Sequence, residues 1–222
     1  MTGDWAALRW TRADGTRPPQ LLLECDNPVR QIMLSPDGET LAFTEQDPET
    51  KSDLWIVPLD LTDPDAPVVG TPEPLIKTDI NEGVPAFSPD GKWIAYISDV
   101  LGPYDVWVQP FPGLGGRWQI TSGGGRYPFW SATEDALLFQ FFPGMMRVEY
   151  TIEGERFVPG APRLSTPVSV VPMPIGFEGV DLAPDGRLVA LSNVTAGTSE
   201  PDRVTFLLNA FNELRRRAAA RR

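Results

Sequence analysis

The chain has 222 residues, enough for one large all-β domain or two small ones with a sizeable core, and its 41% hydrophobic and 22% charged residues indicate neither wholesale disorder nor a membrane-embedded protein. Twenty-four prolines and 20 glycines, spread along the whole length, point to many short strands joined by many turns. A net charge of -11, with five arginines gathered in the last eight residues, leaves an acidic body that repels phosphate backbones and disfavours nucleic acid as a partner.

The opening, Met1 to Arg12, carries Asp4 and lacks a long apolar stretch, so it does not read as a secretory signal. No run approaches the roughly 20 apolar residues of a membrane span. The expectation is a soluble chain, cytoplasmic if complete and extracytoplasmic if cut from a longer sensor. The lone Cys25 has no partner for an internal disulfide, which fits a reducing compartment without requiring one.

In chain order, Ala6 to Thr11 and Gln20 to Glu24 read as two strands around the turn Ala13-Asp14-Gly15. Leu34 to Phe43 then contains Ser-Pro-Asp-Gly between two apolar runs. Proline presets the first corner, aspartate tolerates the second, and glycine supplies the left-handed residue that returns the hairpin. The same ten-residue unit recurs without a gap at Phe87 to Tyr96, in worn form at Trp130 to Phe139, and again at Leu182 to Leu191. Ser35, Ser88, Ser131 and Ala183 stand 53, 43 and 52 residues apart, and the shortest spacing is that of a four-stranded propeller blade.

Third strands follow the hairpins. Asp53 to Leu59 matches Asp105 to Phe111 position for position, and Met145 to Ile152 takes this place in the worn unit. Fourth strands are predicted at Glu73 to Thr78, at Arg117 to Ser122 and near Arg156 to Leu164. The longer spacings place extended surface loops at Asp60 to Pro74 and Pro159 to Gly176. Arg203 to Asn209 reads as a further strand and Asn209 to Arg222 as a short helix whose last turns favour cations.

The expected fold class is therefore all-β: a β-propeller of four-stranded antiparallel blades, three of them complete, with partial blades at both ends and a short C-terminal helix. Residues 1–214 form the propeller, of about four blade equivalents or a fragment of a larger ring, and 215–222 a solvated basic tail. The partial end blades could join into a fourth that closes the ring, or another chain could complete it.

The repeated S-P-D-G-x-x-[IL]-A-[FY] unit followed by D-x-W-[IV] resembles the WD40-like, or PD40, repeat of TolB-type propellers over nearly the whole chain. More narrowly, Asp105 to Gly113, Gly116 to Ile120 and Ser122 to Gly125 resemble the propeller that follows the kinase domain in many bacterial serine/threonine kinases, as does the ending Leu207 to Leu214. That resemblance implies a sensor propeller. It brings no kinase activity, because a chain without histidine has no H-R-D loop, and neither D-F-G nor a P-loop is present.

The absence of histidine also removes Ser-His-Asp triads, Cys-His pairs and histidine metal sites, and no nucleophile elbow occurs. Glu45 and Asp47 read as a solvated turn and the glycine runs 113–116 and 123–125 as connectors; Trp93, Trp107, Phe111, Trp118, Tyr127, Phe129 and Trp130 read first as core between blades, with stacking on a sugar or peptide as the alternative. No catalytic residue, metal or cofactor is assigned.

One constellation is sharper. Four residues before the apolar residue that starts each repeat stand Arg30, Gly83, Arg126 and Glu178, with Glu82 beside the glycine. These positions begin the innermost strands, so radial repetition gathers Arg30, Glu82, Arg126 and Glu178 around one mouth. The arginines would pair with ligand carboxylates, and the glutamates would accept its donors. The leading expectation is a non-enzymatic recognition module for a protein, peptide or small polar ligand. The alternatives are an assembly module that self-associates into a homo-oligomer, and a carboxylate-dependent lyase or hydrolase.

Overall fold

The computed structural model describes residues 6–63, 65–113, 115–142 and 144–166, together with the strands at 180–182 and 188–190. The described residues open with a hairpin of β1 (Ala7–Trp10) and β2 (Gln20–Glu24), and the blades follow. The first contains β3 (Val29–Leu34), β4 (Thr40–Asp47), β5 (Lys51–Asp60), β6 (Val68–Val69) and β7 (Glu73–Ile76); the blade order is β3-β4-β5-β7, with β6 pairing the far end of β5. The second is β8 (Glu82–Phe87), β9 (Trp93–Ser98), β10 (Asp105–Pro110) and β11 (Trp118–Gln119), in sequence order. The third has β12 (Arg126–Trp130), β13 (Ala136–Phe141), β14 (Gly144–Glu153), β15 (Arg156–Pro159) and β16 (Arg163–Thr166), ordered β12-β13-β14-β16 with β15 on the extension of β14. A last hairpin joins β17 (Val180–Leu182) to β18 (Leu188–Ala190). The fold is thus an all-β propeller with three four-stranded antiparallel blades, as the repeat predicts.

The recurrent turn has a local cause. Ser35 Oγ donates to Asp37 at 2.6 Å, Asp37 accepts the Glu39 amide at 3.0 Å, and the Thr40 amide donates to Ser35 Oγ at 2.9 Å. Ser88, Asp90, Lys92 and Trp93 repeat these bonds, and Gly38 and Gly91 occupy the left-handed region at φ 78° and 69°. Each hairpin then presents one fully buried ring, Phe43, Tyr96 or Phe139, paired across the ladder with Trp55, Trp107 or Met146. Each such burial stabilises by about 1.5–3 kcal/mol. The inner strand β8 lies between β3 and β12, so the blades stand side by side.

Three elements differ from the sequence expectation. The stretch Arg156 to Leu164 divides: the true fourth strand is β16, while β15 folds back on a β14 that outruns its blade. The loop after Asp60 similarly contains β6, pairing Leu59 with Val69. Glu45 and Asp47 belong to β4 rather than to a turn, and Glu45 is buried.

Both extensions clasp the preceding unit. Arg12 and Arg17 pair with Asp65 at 2.9 and 3.4 Å, and Val69 packs with Leu22 and Leu23 against Leu8, Phe43 and Val57. From the third blade, Phe157 enters the aromatic cluster between the second and third blades, where Trp93, Trp118, Tyr127, Phe129 and Trp130 form the expected inter-blade core. Among the described residues, β1–β2 and β17–β18 remain separate two-stranded sheets. The expected C-terminal helix and basic tail lie outside those residues, and among them no helix is long and apolar enough to cross a membrane.

Candidate functional site

Every complete blade begins its innermost strand with the same irregularity. Arg30, Gly83 and Arg126 are each followed by a residue of positive φ: Gln31 at 42°, Val84 at 55° and Tyr127 at 50°. Directly after it the ladder slips, resuming at Met33, Ala86 and Phe129. A β-branched residue such as Val84 is strained in this region, and a bulge of this kind re-aims side chains at a strand end. In two blades proline follows, Pro85 and Pro128, where the missing amide cannot join the ladder anyway.

The blades meet closely here. The Val84 amide donates to Thr44 Oγ1 of the first blade at 3.2 Å. A Cβ on Gly83 would stand 3.3 Å from both Thr44 Cγ2 and Oγ1, tighter than ordinary contact, so a larger residue here would require Thr44 to give by a few tenths of an ångström. Glu82, 1% exposed, is held by Thr78 Oγ1 at 3.0 Å from both carboxylate oxygens and by Ser98 Oγ at 3.4 Å from Oε1. Burial pushes its pKa up to about 6, against the opposing Thr78 hydrogen bond and with a further upward contribution from Asp53.

Arg30, Gln31, Thr44, Glu82, Gly83 and Tyr104 line one small cavity of about 20 Å³. Arg30 Nε and Gln31 Nε2 are buried there without a hydrogen-bond partner. Such donors leave part of their desolvation uncompensated, and the cavity holds about one small polar group. The Arg126 guanidinium lies 5.3 Å from the centre of the Tyr104 ring and is exposed. It also borders a cavity of about 400 Å³ walled by Gly123 to Gly125, Gln140 and the exposed Phe141 and Phe142.

Of the four residues expected at the mouth, Arg30 and Glu82 share the cavity, Arg126 reaches it through Tyr104, and Glu178 lies outside the described residues. Sequence reasoning missed Gln31, Thr44 and Tyr104. A closer signal existed for Gln31, which directly follows a counted position; Thr44 and Tyr104 come from other strands and loops and carry none. Elsewhere at this end, burial first and Glu45 next push the Cys25 thiol up to about 11, which keeps it protonated and a poor nucleophile. Among the described residues, no group of three or more acidic or cysteine side chains is placed to hold a metal ion.

Because its pKa is raised, Glu82 stabilises the fold least when ionised. The favourable state is complete below the unfolded value near 4.5 and is lost as pH rises through about 6. Glu82→Gln should therefore raise stability at pH 8 by about 1–2 kcal/mol, with the gain vanishing below pH 4.5. Urea unfolding at the two pH values checks this, and an equal effect at both would refute the assignment.

No protein-family model and no curated protein matches the sequence. Among solved structures, TolB from Acinetobacter baumannii is similar with a TM-score of 0.60 and 17% identity, over 86% of this chain and 44% of that one. A putative 6-phosphogluconolactonase from Bacteroides uniformis is similar with a TM-score of 0.52 and 18% identity, over 83% and 56%. The chain spans about half the length of these structures. At such identity the likeness concerns architecture, and the architecture is a TolB-like β-propeller.

Proposed function

We propose that this TolB-like propeller is a recognition module rather than an enzyme, and that it binds a carboxylate-bearing protein or peptide at the mouth formed by its innermost strands. The observation that carries the reading is the pair of buried, unpartnered donors, Arg30 Nε and Gln31 Nε2, in a cavity whose Tyr104 wall is capped by the exposed Arg126. A carboxylate oxygen would satisfy both donors, and charge-assisted bonds to arginine are the strong ones. A sensory role, which the sequence resemblance implies, is part of the proposal.

The lyase or hydrolase alternative needs a second free carboxylate next to Glu82. Its acidic neighbours are engaged instead: Asp53 accepts from the Thr78 amide, and Asp99 from the Asn81 amide and Nδ2. Peptides selected from a random library against the whole chain test the reading. Those ending in a free carboxylate should bind, and the double variant Arg30→Ala, Arg126→Ala should weaken them by at least about 100-fold while the thermal midpoint stays in place. Unchanged affinity would remove the site.

A second reading, assembly, is favoured by the two-stranded β1–β2 and β17–β18 sheets, whose edges pair with no further strand among the described residues and can accept strands of another copy. Mass in solution separates the two: a stable dimer supports it, and a concentration-independent monomer opposes it.

A further inference from the structure

At the end of the blades opposite the mouth, a groove of about 920 Å³ runs between the second blade and the projecting β14–β15 ribbon. Its floor holds Trp93 and Trp118, whose rings meet edge-on at 5.6 Å and 73°. Trp93 is buried, whereas Trp118 is only partly covered. The rim carries Lys92 and Arg156 as donors and Asp90, Glu153 and Glu155 as acceptors.

The charges of this rim do not neutralise one another. Among the described residues, no ion pair involves Lys92, Arg156, Asp90 or Glu155, although the ribbon stands beside the hairpin turn that bears two of them. Asp90 uses Oδ1 in its own turn, accepting from Ser88 Oγ and the Lys92 amide. A ligand of either net charge would meet a like charge here. A neutral ring bearing several hydroxyls fits better: it donates to the carboxylates, accepts from the cations, and lays its electropositive C–H face on an indole. The volume lies within the range of small-ligand clefts.

We propose that this groove is a second binding site, for a neutral oligosaccharide. It is independent of the mouth and of any partner bound there. Isothermal titration of the full chain with maltotriose, cellotriose and chitotriose tests it, followed through tryptophan fluorescence. At least one sugar should bind saturably, and Trp118→Ala should weaken it by about tenfold or more. Because Trp118 also packs in the core, the exposed double variant Asp90→Asn, Glu155→Gln provides a second test and should lose affinity several-fold. The Arg30→Ala, Arg126→Ala chain should bind the sugar unchanged. Absence of binding by all three sugars overturns the proposal, as does undiminished binding by both groove variants, or binding of a proline decapeptide in their place.

Discussion

Phe157→Ala should destabilise the protein by about 3–5 kcal/mol, the largest loss expected from any single truncation here. Phe157 is 0% exposed although it sits on a ribbon that projects beyond its own blade. Its ring stacks on Tyr150 at 4.9 Å and lies 5.3 Å from Trp93, 6.0 Å from Trp130 and 6.2 Å from Trp118. Removing it opens a cavity walled by four large rings that cannot close on it together, because each is fixed by its own strand. The ribbon would also lose its only fully buried side chain and with it the clasp on the second blade. Thermal unfolding should show a fall of roughly 10 °C or more. A loss under about 1 kcal/mol would mean that the ribbon does not pack against the second blade.

Asp105→Ala should cost about 3 kcal/mol, and Asp105→Asn distinctly less. This carboxylate, 2% exposed, accepts from Thr121 Oγ1 and the Gly124 amide at 2.9 Å and from Gln119 Nε2 at 3.1 Å. Thr121 Oγ1 in turn accepts from the Val106 amide at 2.9 Å. One side chain thus ties the third strand of the second blade to its fourth and to the glycine connector that leads into β12. Alanine leaves those donors without an acceptor, whereas asparagine keeps one oxygen in place. Chemical denaturation of the three chains should rank wild type, asparagine and alanine in that order. Alanine and asparagine of equal stability would show that the hydrogen bonds do not carry the effect.

This network gives the D-x-W motif its physical meaning, and it shows why the motif is legible. Asp53 plays the same part in the first blade, accepting from Thr50 Oγ1 and the Thr78 amide. In the worn third blade Gly144 stands at the corresponding ladder position, and the motif is gone. The S-P-D-G turn is equally legible because its bonds span at most five residues, from Ser35 to Thr40. The strand extensions were not. Nothing local distinguishes β14, which continues past its blade to pair β15, from a third strand that stops. The same holds for Glu45 and Asp47, whose strand outlasts its apolar run because it pairs with Asp53 and Lys51.

At the mouth, counting back from the repeats locates Arg30, Gly83 and Arg126 as equivalents because each innermost strand starts at the same offset. The left-handed residues that follow share no residue type, being Gln31, Val84 and Tyr127, so no propensity announces them. Val84 is held by contact with Thr44, which lies 40 residues earlier.

By itself, the sequence determined the turns, the strand period and the number of complete blades, since these follow from the φ preferences of proline, aspartate and glycine and from the spacing of apolar runs. Only the tertiary structure decided which ribbon covers which neighbour, which donors are buried without partners and how far Glu82 is desolvated. Those properties arise where one blade presses against the next, and a contact between distant segments leaves no periodic trace in either of them.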